Sequence, residues 1–240
     1  MDSDNRQIQT AVRGDAESDE PLICPTDPAE LDVFRDEYRI ESFWCGVLLG
    51  GCGGQLTTKR YRDRVCHFSH LPDPEGLLPE CGRRARGVSS ADHLYVKSAT
   101  QAWLHRQGHT PRYRFIDRDD APVGSVVDID LDGHRLRIHM NASVPPDWDS
   151  EDAGELILGP GVPIDPLRLV RRRYVNRVKF ESDGSRRVLR FGTQTPHEGT
   201  TWGFETSDCE ITPRWPAENP RGRTSLGQRG PAPGSRIQTR

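Results

Sequence analysis

Apolar residues recur at helical spacing in the middle of the chain, and this pattern predicts an amphipathic helix over residues 89–107. Ser89 or Ser90 is a suitable N-cap, and Asp92 follows Ser89 at the spacing of a capping box. Gly108 marks the C-terminal end of the helix. The predicted buried stripe consists of Ala91, Leu94, Tyr95, Ala99, Ala102 and Trp103.

Apolar and polar residues then alternate on both sides of an Asp-Gly dipeptide, a pattern typical of a β-hairpin. The two strands cover residues 126–131 and 134–140. With a two-residue loop, one face of this hairpin is polar and places acidic residues opposite arginines. The residues of that face are Asp128, Asp130, Arg135, Arg137 and His139.

A second hairpin is predicted from residues 174–180 and 187–192, with a turn near Asp183 and Gly184. Residues 202–204 add a short apolar segment that suits one more strand. Helix and hairpins together predict an α/β core in the second half of the chain.

Only 33% of the 240 residues are hydrophobic, so the whole chain cannot be packed core. Local composition divides the chain into four segments. Residues 1–20 are interpreted as a disordered acidic arm and residues 216–240 as a disordered tail rich in Pro, Gly, Arg and Ser. Residues 21–87 form a Gly-, Cys- and His-rich module that needs a support other than a hydrophobic core. Residues 88–215 form the α/β domain.

Charge is distributed unevenly, although the net charge is only −3. Residues 1–41 hold twelve Asp/Glu and four Lys/Arg, whereas residues 168–190 hold nine Lys/Arg and two Asp/Glu. This split predicts a basic surface for nucleic acid, with DNA as the expected partner and an acidic arm as its internal competitor. Two ordinary solvated stretches are the alternative. The predicted contacts are Arg171, Arg172, Arg173, Arg177 and Arg187.

Cysteine chemistry depends on the compartment. No run of about 18 apolar residues predicts a membrane-spanning helix. The N-terminus also lacks the basic and apolar regions of a secretory signal. We therefore expect a cytoplasmic protein without membrane contact, whose cysteines stay reduced and favour a metal over disulfides.

Six cysteines and histidines fall between residues 45 and 81 and suggest a structural zinc ion, which needs four ligands. The preferred set is Cys45, Cys52, His67 and His70, with Cys66 and Cys81 in reserve. Glycines on both sides of Cys52 would allow the backbone to wrap closely around an ion. Six residues separate the first two cysteines, so buried thiols with surface histidines are the alternative.

The strings Cys66-His67-Phe68-Ser69-His70 and Asp92-His93-Leu94-Tyr95-Val96-Lys97, with Trp44-Cys45 and Cys52 before them, resemble the competence protein CoiA family. The resemblance covers residues 43–140 and includes Val127-Asp128-Ile129 as a hydrophobic-Asp-hydrophobic motif. It implies an α/β (α+β) fold: a zinc-ribbon-like N-terminal module, then a restriction-endonuclease-like PD-(D/E)XK mixed sheet with flanking helices. It also implies metal-dependent handling of DNA, in some members foreign DNA.

A nuclease site of this type holds Mg²⁺ between carboxylates and uses a lysine to stabilise developing charge. The family pattern expects a second acid opposite Asp128, but Arg137 stands there and His139 replaces the expected Gln or Lys. Cross-strand ion pairs are the simpler interpretation of these residues. A rescued catalytic set would consist of Asp92, Asp128 and Asp130 with His93 and Lys97.

Two functions follow from these residues. One is a Mg²⁺-dependent nuclease with a degenerate second acidic motif. The other is a catalytically inactive, zinc-stabilised protein that binds nucleic acid or serves as an adaptor. The two are distinguished by what lies beside Asp128 in the fold, either another carboxylate at coordination distance or Arg137.

Overall fold

The structure is a computed structural model, and it describes residues 7–73, 75–77, 80–116, 118–148, 155–183, 186–205, 209–211 and 226–228. Within these residues the chain forms three α-helices and two larger β-sheets. The mixed α/β class expected from the sequence is therefore confirmed. Among the helices in this part of the chain, none has the length and apolar character needed to span a bilayer.

The N-terminal module contains an antiparallel five-stranded sheet and one helix, α1, which spans Pro28–Glu37. Asp27 caps this helix, because its carboxylate accepts hydrogen bonds from the backbone amides of Ala29 and Glu30. The strands are β1 (Thr10–Arg13), β2 (Pro21–Ile23), β3 (Phe43–Trp44), β4 (Gln55–Lys59) and β5 (His67–His70). Their order is β2-β1-β3-β4-β5.

Strand β1 lies inside residues 1–20, which the sequence predicted to be a disordered arm. That prediction is wrong for Thr10–Arg13, because this strand pairs with β2 on one side and β3 on the other. Ala11 and Val12 are fully buried there. The many acidic residues around this short apolar stretch led to the prediction of disorder. The strand forms nevertheless, because burial against neighbouring strands decides whether a short segment is ordered.

An aromatic cluster holds the module together. The rings of Phe34, Tyr38, Phe43 and Phe68 lie with neighbouring centroids 4.6–6.3 Å apart, from α1 across to β3 and β5. Such ring pairs contribute beyond the apolar area that they bury. The module therefore has a hydrophobic core of its own, contrary to the expectation that only another kind of support would hold it.

Helix α2 spans Asp92–Arg106 and confirms the helix predicted from the apolar stripe. Its beginning differs from the prediction, since a 3₁₀ turn over Val88–Ala91 precedes it. The Ser90 hydroxyl donates to the carbonyl of Gly87 at 2.6 Å and does not cap α2. Gly108 ends the helix with a φ of +83°, as its position in the sequence predicted.

A seven-stranded mixed sheet forms the centre of the second half of the chain. Its strands are β6 (Arg112–Ile116), β7 (Val126–Leu131), β8 (His134–His139), β9 (Glu155–Leu158), β10 (Val175–Asp183), β11 (Arg186–Thr195) and β12 (Gly199–Glu205). Their order is β12-β11-β10-β9-β8-β7-β6, and β9 runs parallel to both of its neighbours. Helix α3 (Pro166–Arg172) connects β9 to β10.

The hairpin β7–β8 has the predicted two-residue turn. Asp132 and Gly133 have φ values of 48° and 84°, the positive values that a type I′ turn requires. The register places Asp128 opposite Arg137, as the sequence predicted.

The second predicted hairpin is also present, as β10 paired with β11. Its predicted turn at Gly184 lies outside the described residues. In the predicted C-terminal tail, Leu226–Gln228 forms strand β14 and pairs with β13 (Cys209–Ile211). The interpretation of residues 216–240 as disordered is therefore wrong for these three residues, and the remainder of that segment lies outside the description.

The two faces of the large sheet have different surroundings. Helix α2 packs Val96, Trp103 and Leu104 against one face, which we call the core face. On the opposite face, the open face, α3 covers one part through Leu169, which contacts Leu158 and Val175. The uncovered part of the open face carries the polar residues of the β7–β8 hairpin.

Candidate metal centre and the predicted acidic site

One Cys/His group among the described residues is arranged to hold a metal ion. The ligand atoms of Cys45, Cys52, His70 and Cys81 all lie within 4.8 Å of one another. The Cys52 Sγ lies 3.2 Å from the His70 Nε2, and the Sγ atoms of Cys45 and Cys81 are 3.8 Å apart. These four side chains can therefore converge on a single ion.

The ligands come from four separate places in the module. Cys45 directly follows β3, Cys52 lies in the glycine-rich loop, His70 is the last residue of β5, and Cys81 comes from the loop before α2. A Cβ atom on Gly51 would lie 2.4 Å from the Cys45 carbonyl oxygen and 2.6 Å from its Sγ. The glycine is therefore required for the close approach of the backbone to the thiol.

Burial raises the pKa of the Cys45 thiol to about 11. A bound cation would have to displace this proton, because metals bind the thiolate form. Nearby, the guanidinium of Arg83 is 2% exposed and donates to the Thr10 carbonyl at 2.8 Å and to the Ser90 hydroxyl at 2.9 Å. Arg83 thus links the metal centre to β1 and to the turn before α2, a role that no sequence motif indicated.

Three of the four preferred ligands are confirmed as members of the cluster, and Cys81 replaces His67. His67 and His70 are three residues apart on a strand, so their side chains point to opposite faces. The ring of His67 stacks on Tyr61 at 5.3 Å and its Nδ1 lies 3.1 Å from the Val65 carbonyl oxygen. The strand period within the H-F-S-H string was the signal that could have excluded His67.

Cys66, the other reserve ligand, lies away from the cluster. It is buried, and its Sγ lies 3.5 Å from the backbone nitrogen of Tyr61. Cys24 is a second buried thiol in the same hydrophobic core, and burial raises its pKa to about 12. Both cysteines act as small apolar side chains in this structure.

Asp128, the first predicted catalytic acid, is surrounded by arginines. Its carboxylate is 1% exposed and accepts two hydrogen bonds from Arg137, at 2.7 and 2.8 Å. Arg114 and Arg135 lie 3.7 and 3.8 Å from it. Asp130 beside it lies 3.1 Å from Arg135 and 3.2 Å from Arg114. Cationic groups thus occupy the space in which Mg²⁺ would have to bind.

Asp92 lies on the other side of the sheet. It begins α2, which packs on the core face, whereas Asp128 and Asp130 belong to the open face. Both oxygens of Asp92 accept hydrogen bonds from Arg187 at 2.8 Å. The structure therefore does not bring the three predicted acids together, and none of them belongs to a metal-binding group among the described residues.

His93 and Lys97 also have structural partners. The Nε2 of His93 donates to the carbonyl of Leu48 at 2.6 Å, and its ring meets Phe115 edge-on at 5.0 Å. Lys97 forms an ion pair with Asp19, which lies in the segment predicted to be the acidic arm. Neither side chain faces Asp128, because both lie on the helix that covers the core face.

The predicted nucleic-acid contacts separate into two groups. Arg187 is engaged with Asp92, and Arg177 donates to the Val162 carbonyl at 2.6 Å and to the Gln194 side chain at 2.8 Å. A second group lies exposed at the C-terminal end of α3 and consists of Arg171, Arg172 and Arg173.

His93 makes the stability of the fold depend on pH. Burial lowers its pKa to about 4, whereas an unfolded histidine titrates near about 6.5. Between these values the unfolded chain binds a proton that the folded chain does not. Stability is therefore complete above about pH 6.5 and is lost as pH falls, by about 1.4 kcal/mol at pH 5.5.

Urea unfolding of the metal-loaded chain at pH 7.5 and 5.5 measures this loss. We expect His93→Gln to be less stable at pH 7.5 and to lose less stability between the two pH values than the parent. His134→Gln, at an exposed histidine, is the matched control and should keep the parent's pH dependence. Equal pH dependence in the parent and His93→Gln would disprove the assignment.

Comparison with known proteins returned no similarity: no family model, curated protein or solved structure matches this chain. The resemblance to the CoiA family therefore continues to rest on the sequence strings described above. Any function has to be argued from the geometry of the chain itself.

Proposed function

We propose that this chain is a zinc-stabilised nucleic-acid-binding protein that lacks a carboxylate-held catalytic metal. The observation that carries the proposal is the set of arginines around Asp128. Its carboxylate is neutralised by Arg137 at 2.7 Å and is also approached by Arg114 and Arg135. Guanidinium groups compete with a divalent cation for the same oxygens and also bind phosphate well.

Zinc suits the donor set of the metal centre. Three thiols and one imidazole are the ligands of a structural Cys₃His site. A tetrahedral zinc with Zn–S bonds of about 2.3 Å places two sulfurs about 3.8 Å apart. The Sγ atoms of Cys45 and Cys81 are separated by 3.8 Å. Three thiolates on Zn²⁺ leave one net negative charge, which the buried Arg83 is placed to balance.

Nucleic acid is favoured as the partner by the charge of the exposed arginines. Arg171, Arg172 and Arg173 project at the end of α3, in a chain whose net charge is −3. A local excess of arginine in an acidic protein indicates a polyanionic ligand. The CoiA-like strings point the same way, towards DNA handled in the cytoplasm, and the PD-(D/E)XK-like ancestry of the sheet is part of this proposal.

One purified sample tests binding and cleavage together. The parent is incubated with fluorescent 30-nucleotide single strands and the matching duplex, with Mg²⁺ or Mn²⁺, and compared with Asp128→Asn. We expect salt-dependent binding by the parent and no metal-dependent cleavage by either protein. Cleavage by the parent that is abolished in a folded Asp128→Asn variant would instead support the hypothesis of a Mg²⁺-dependent nuclease. Absence of binding by the parent at low salt would refute the proposal.

A further inference from the structure

A group of charged side chains covers three adjacent strands, β6, β7 and β8, on the uncovered part of the open face. Cross-strand partners share a face, and residues two apart on one strand do so as well. The registers β6–β7 and β7–β8 therefore place six charged residues on this surface. The arginine face consists of Arg112, Arg114, Asp128, Asp130, Arg135 and Arg137.

The arginine face is positive although the chain is negative. It carries four cationic side chains and two carboxylates, an excess of two positive charges, whereas the whole chain has a net charge of −3. Acidic residues are thus concentrated elsewhere. An uneven distribution of this kind produces a local positive potential that attracts anions.

We infer that the arginine face is the surface on which nucleic acid binds, through its phosphate backbone. This inference rests on the proposed function and specifies its site. The ion pairs leave donors for a ligand, because three guanidiniums share the two carboxylates of Asp128 and Asp130. Each guanidinium has five N–H donors, more than one carboxylate can accept.

Arg114 and Arg112 are the most accessible members. The side chain of Arg114 is 52% exposed and has the longer contacts, 3.2 Å to Asp130 and 3.7 Å to Asp128. Arg112 lies two residues before it on the edge strand β6 and is exposed. Because Arg135 and Arg137 already neutralise the two acids, phosphate can contact Arg112 and Arg114 without leaving a carboxylate unpaired.

The spacing of the arginines suits a ligand with repeated anions. Residues two apart on a strand are separated by about 6.6 Å, and this interval occurs between Arg112 and Arg114 and again between Arg135 and Arg137. Helix α3 packs on the open face at Leu158 and carries the exposed Arg171 and Arg172 in its last turn. Guanidiniums at a regular interval along paired strands match the regular charges of a nucleic-acid backbone better than the irregular ones of an acidic peptide.

The test compares charge variants in fluorescence anisotropy with a 30-base-pair duplex and a 30-nucleotide single strand over a series of salt concentrations. Arg112→Gln/Arg114→Gln removes two charges from the arginine face. Arg39→Gln/Arg62→Gln removes two exposed charges from the N-terminal module and is the matched control. Asp130→Asn changes the face in the opposite direction by removing one carboxylate.

We expect the Arg112/Arg114 variant to bind about 10-fold more weakly and to lower the slope of log Kd against log salt by about 1.8 for duplex. The Arg39/Arg62 control should remain within about twofold of the parent, and Asp130→Asn should bind more tightly. A merely structural ion-pair network would instead give weaker binding in both Asp130→Asn and the Arg112/Arg114 variant, together with lower thermal midpoints.

The possible failures are distinguishable. If the parent binds and the Arg112/Arg114 variant binds like the Arg39/Arg62 control, the arginine face is overturned while the proposed function stands. If the parent binds neither strand form, the proposed function falls and this surface with it. Competition by polyglutamate that equals competition by unlabelled DNA would assign the face to acidic peptides and overturn the inference.

Discussion

Replacing Cys81 with serine is expected to reduce the zinc content of the purified chain from about one ion per chain to nearly none. The Cys81 Sγ lies 3.8 Å from the Cys45 Sγ and belongs to the cluster of four ligands. A structural zinc site needs all four, and a hydroxyl does not replace a thiolate. Metal analysis of the dialysed protein measures the result.

His67→Ala is the matched control for this prediction. His67 was a preferred ligand from the sequence, but its ring stacks on Tyr61 and faces away from the cluster. We expect it to retain about one zinc per chain. Zinc retained in Cys81→Ser, or lost in a folded His67→Ala protein, would show that the four-ligand centre is assigned incorrectly.

Loss of zinc should destabilise the module locally more than globally. The free energy of local opening around the metal centre is expected to fall by about 3 kcal/mol or more, since binding of a structural metal is coupled to folding. The aromatic cluster around Phe34 and Phe68 is expected to hold α1 and the strands together when the metal is removed. Hydrogen exchange should therefore increase in residues 45–54 and 70–81 while α1 and β4 stay protected. Equal loss of protection throughout the module would contradict this description.

Replacing Asp92 with alanine is expected to destabilise the fold by about 3–5 kcal/mol, because it leaves the guanidinium of Arg187 buried without its partner. The two side chains are 8% and 12% exposed and are joined by two hydrogen bonds of 2.8 Å. Urea unfolding and the thermal midpoint measure the loss.

Two further variants separate burial of the charge from simple loss of an ion pair. Asp92→Ala/Arg187→Met should recover much of the stability, since the charge left without a partner is then removed. Asp32→Ala breaks an exposed pair with Arg60 and should cost far less stability, since solvent screens exposed ion pairs. If Asp92→Ala lowers the free energy of unfolding no more than Asp32→Ala does, the buried pair stabilises the fold no more than an exposed pair.

The same variants bear on the nuclease hypothesis. Asp92 was predicted to assist Asp128, yet the sheet separates them and Asp92 is engaged with Arg187. The expected consequence of Asp92→Ala is lower stability, with nucleic-acid affinity unchanged at temperatures where the variant is folded. A specific loss of metal-dependent cleavage in the folded variant would argue for the catalytic set.

Local patterns predicted the parts of the fold that depend on neighbours in sequence. The Asp132-Gly133 dipeptide predicted a two-residue turn, and the turn then determined that Asp128 faces Arg137. The apolar stripe predicted α2, which the structure confirms. The interpretation of His67 failed because it treated two histidines three apart as convergent, whereas in a strand they point in opposite directions.

Sequence alone therefore determined the helix, the hairpins and the cross-strand pairs, since short-range periodicity and turn chemistry specify them. It also predicted three of the four members of the Cys/His cluster, from their residue types. Only the tertiary structure decided that Cys81 completes the centre and that Asp92 and Asp128 lie on opposite faces of one sheet. Both outcomes depend on how segments distant in the sequence pack against each other. Such long-range packing produces no periodic pattern in the sequence from which it could be predicted.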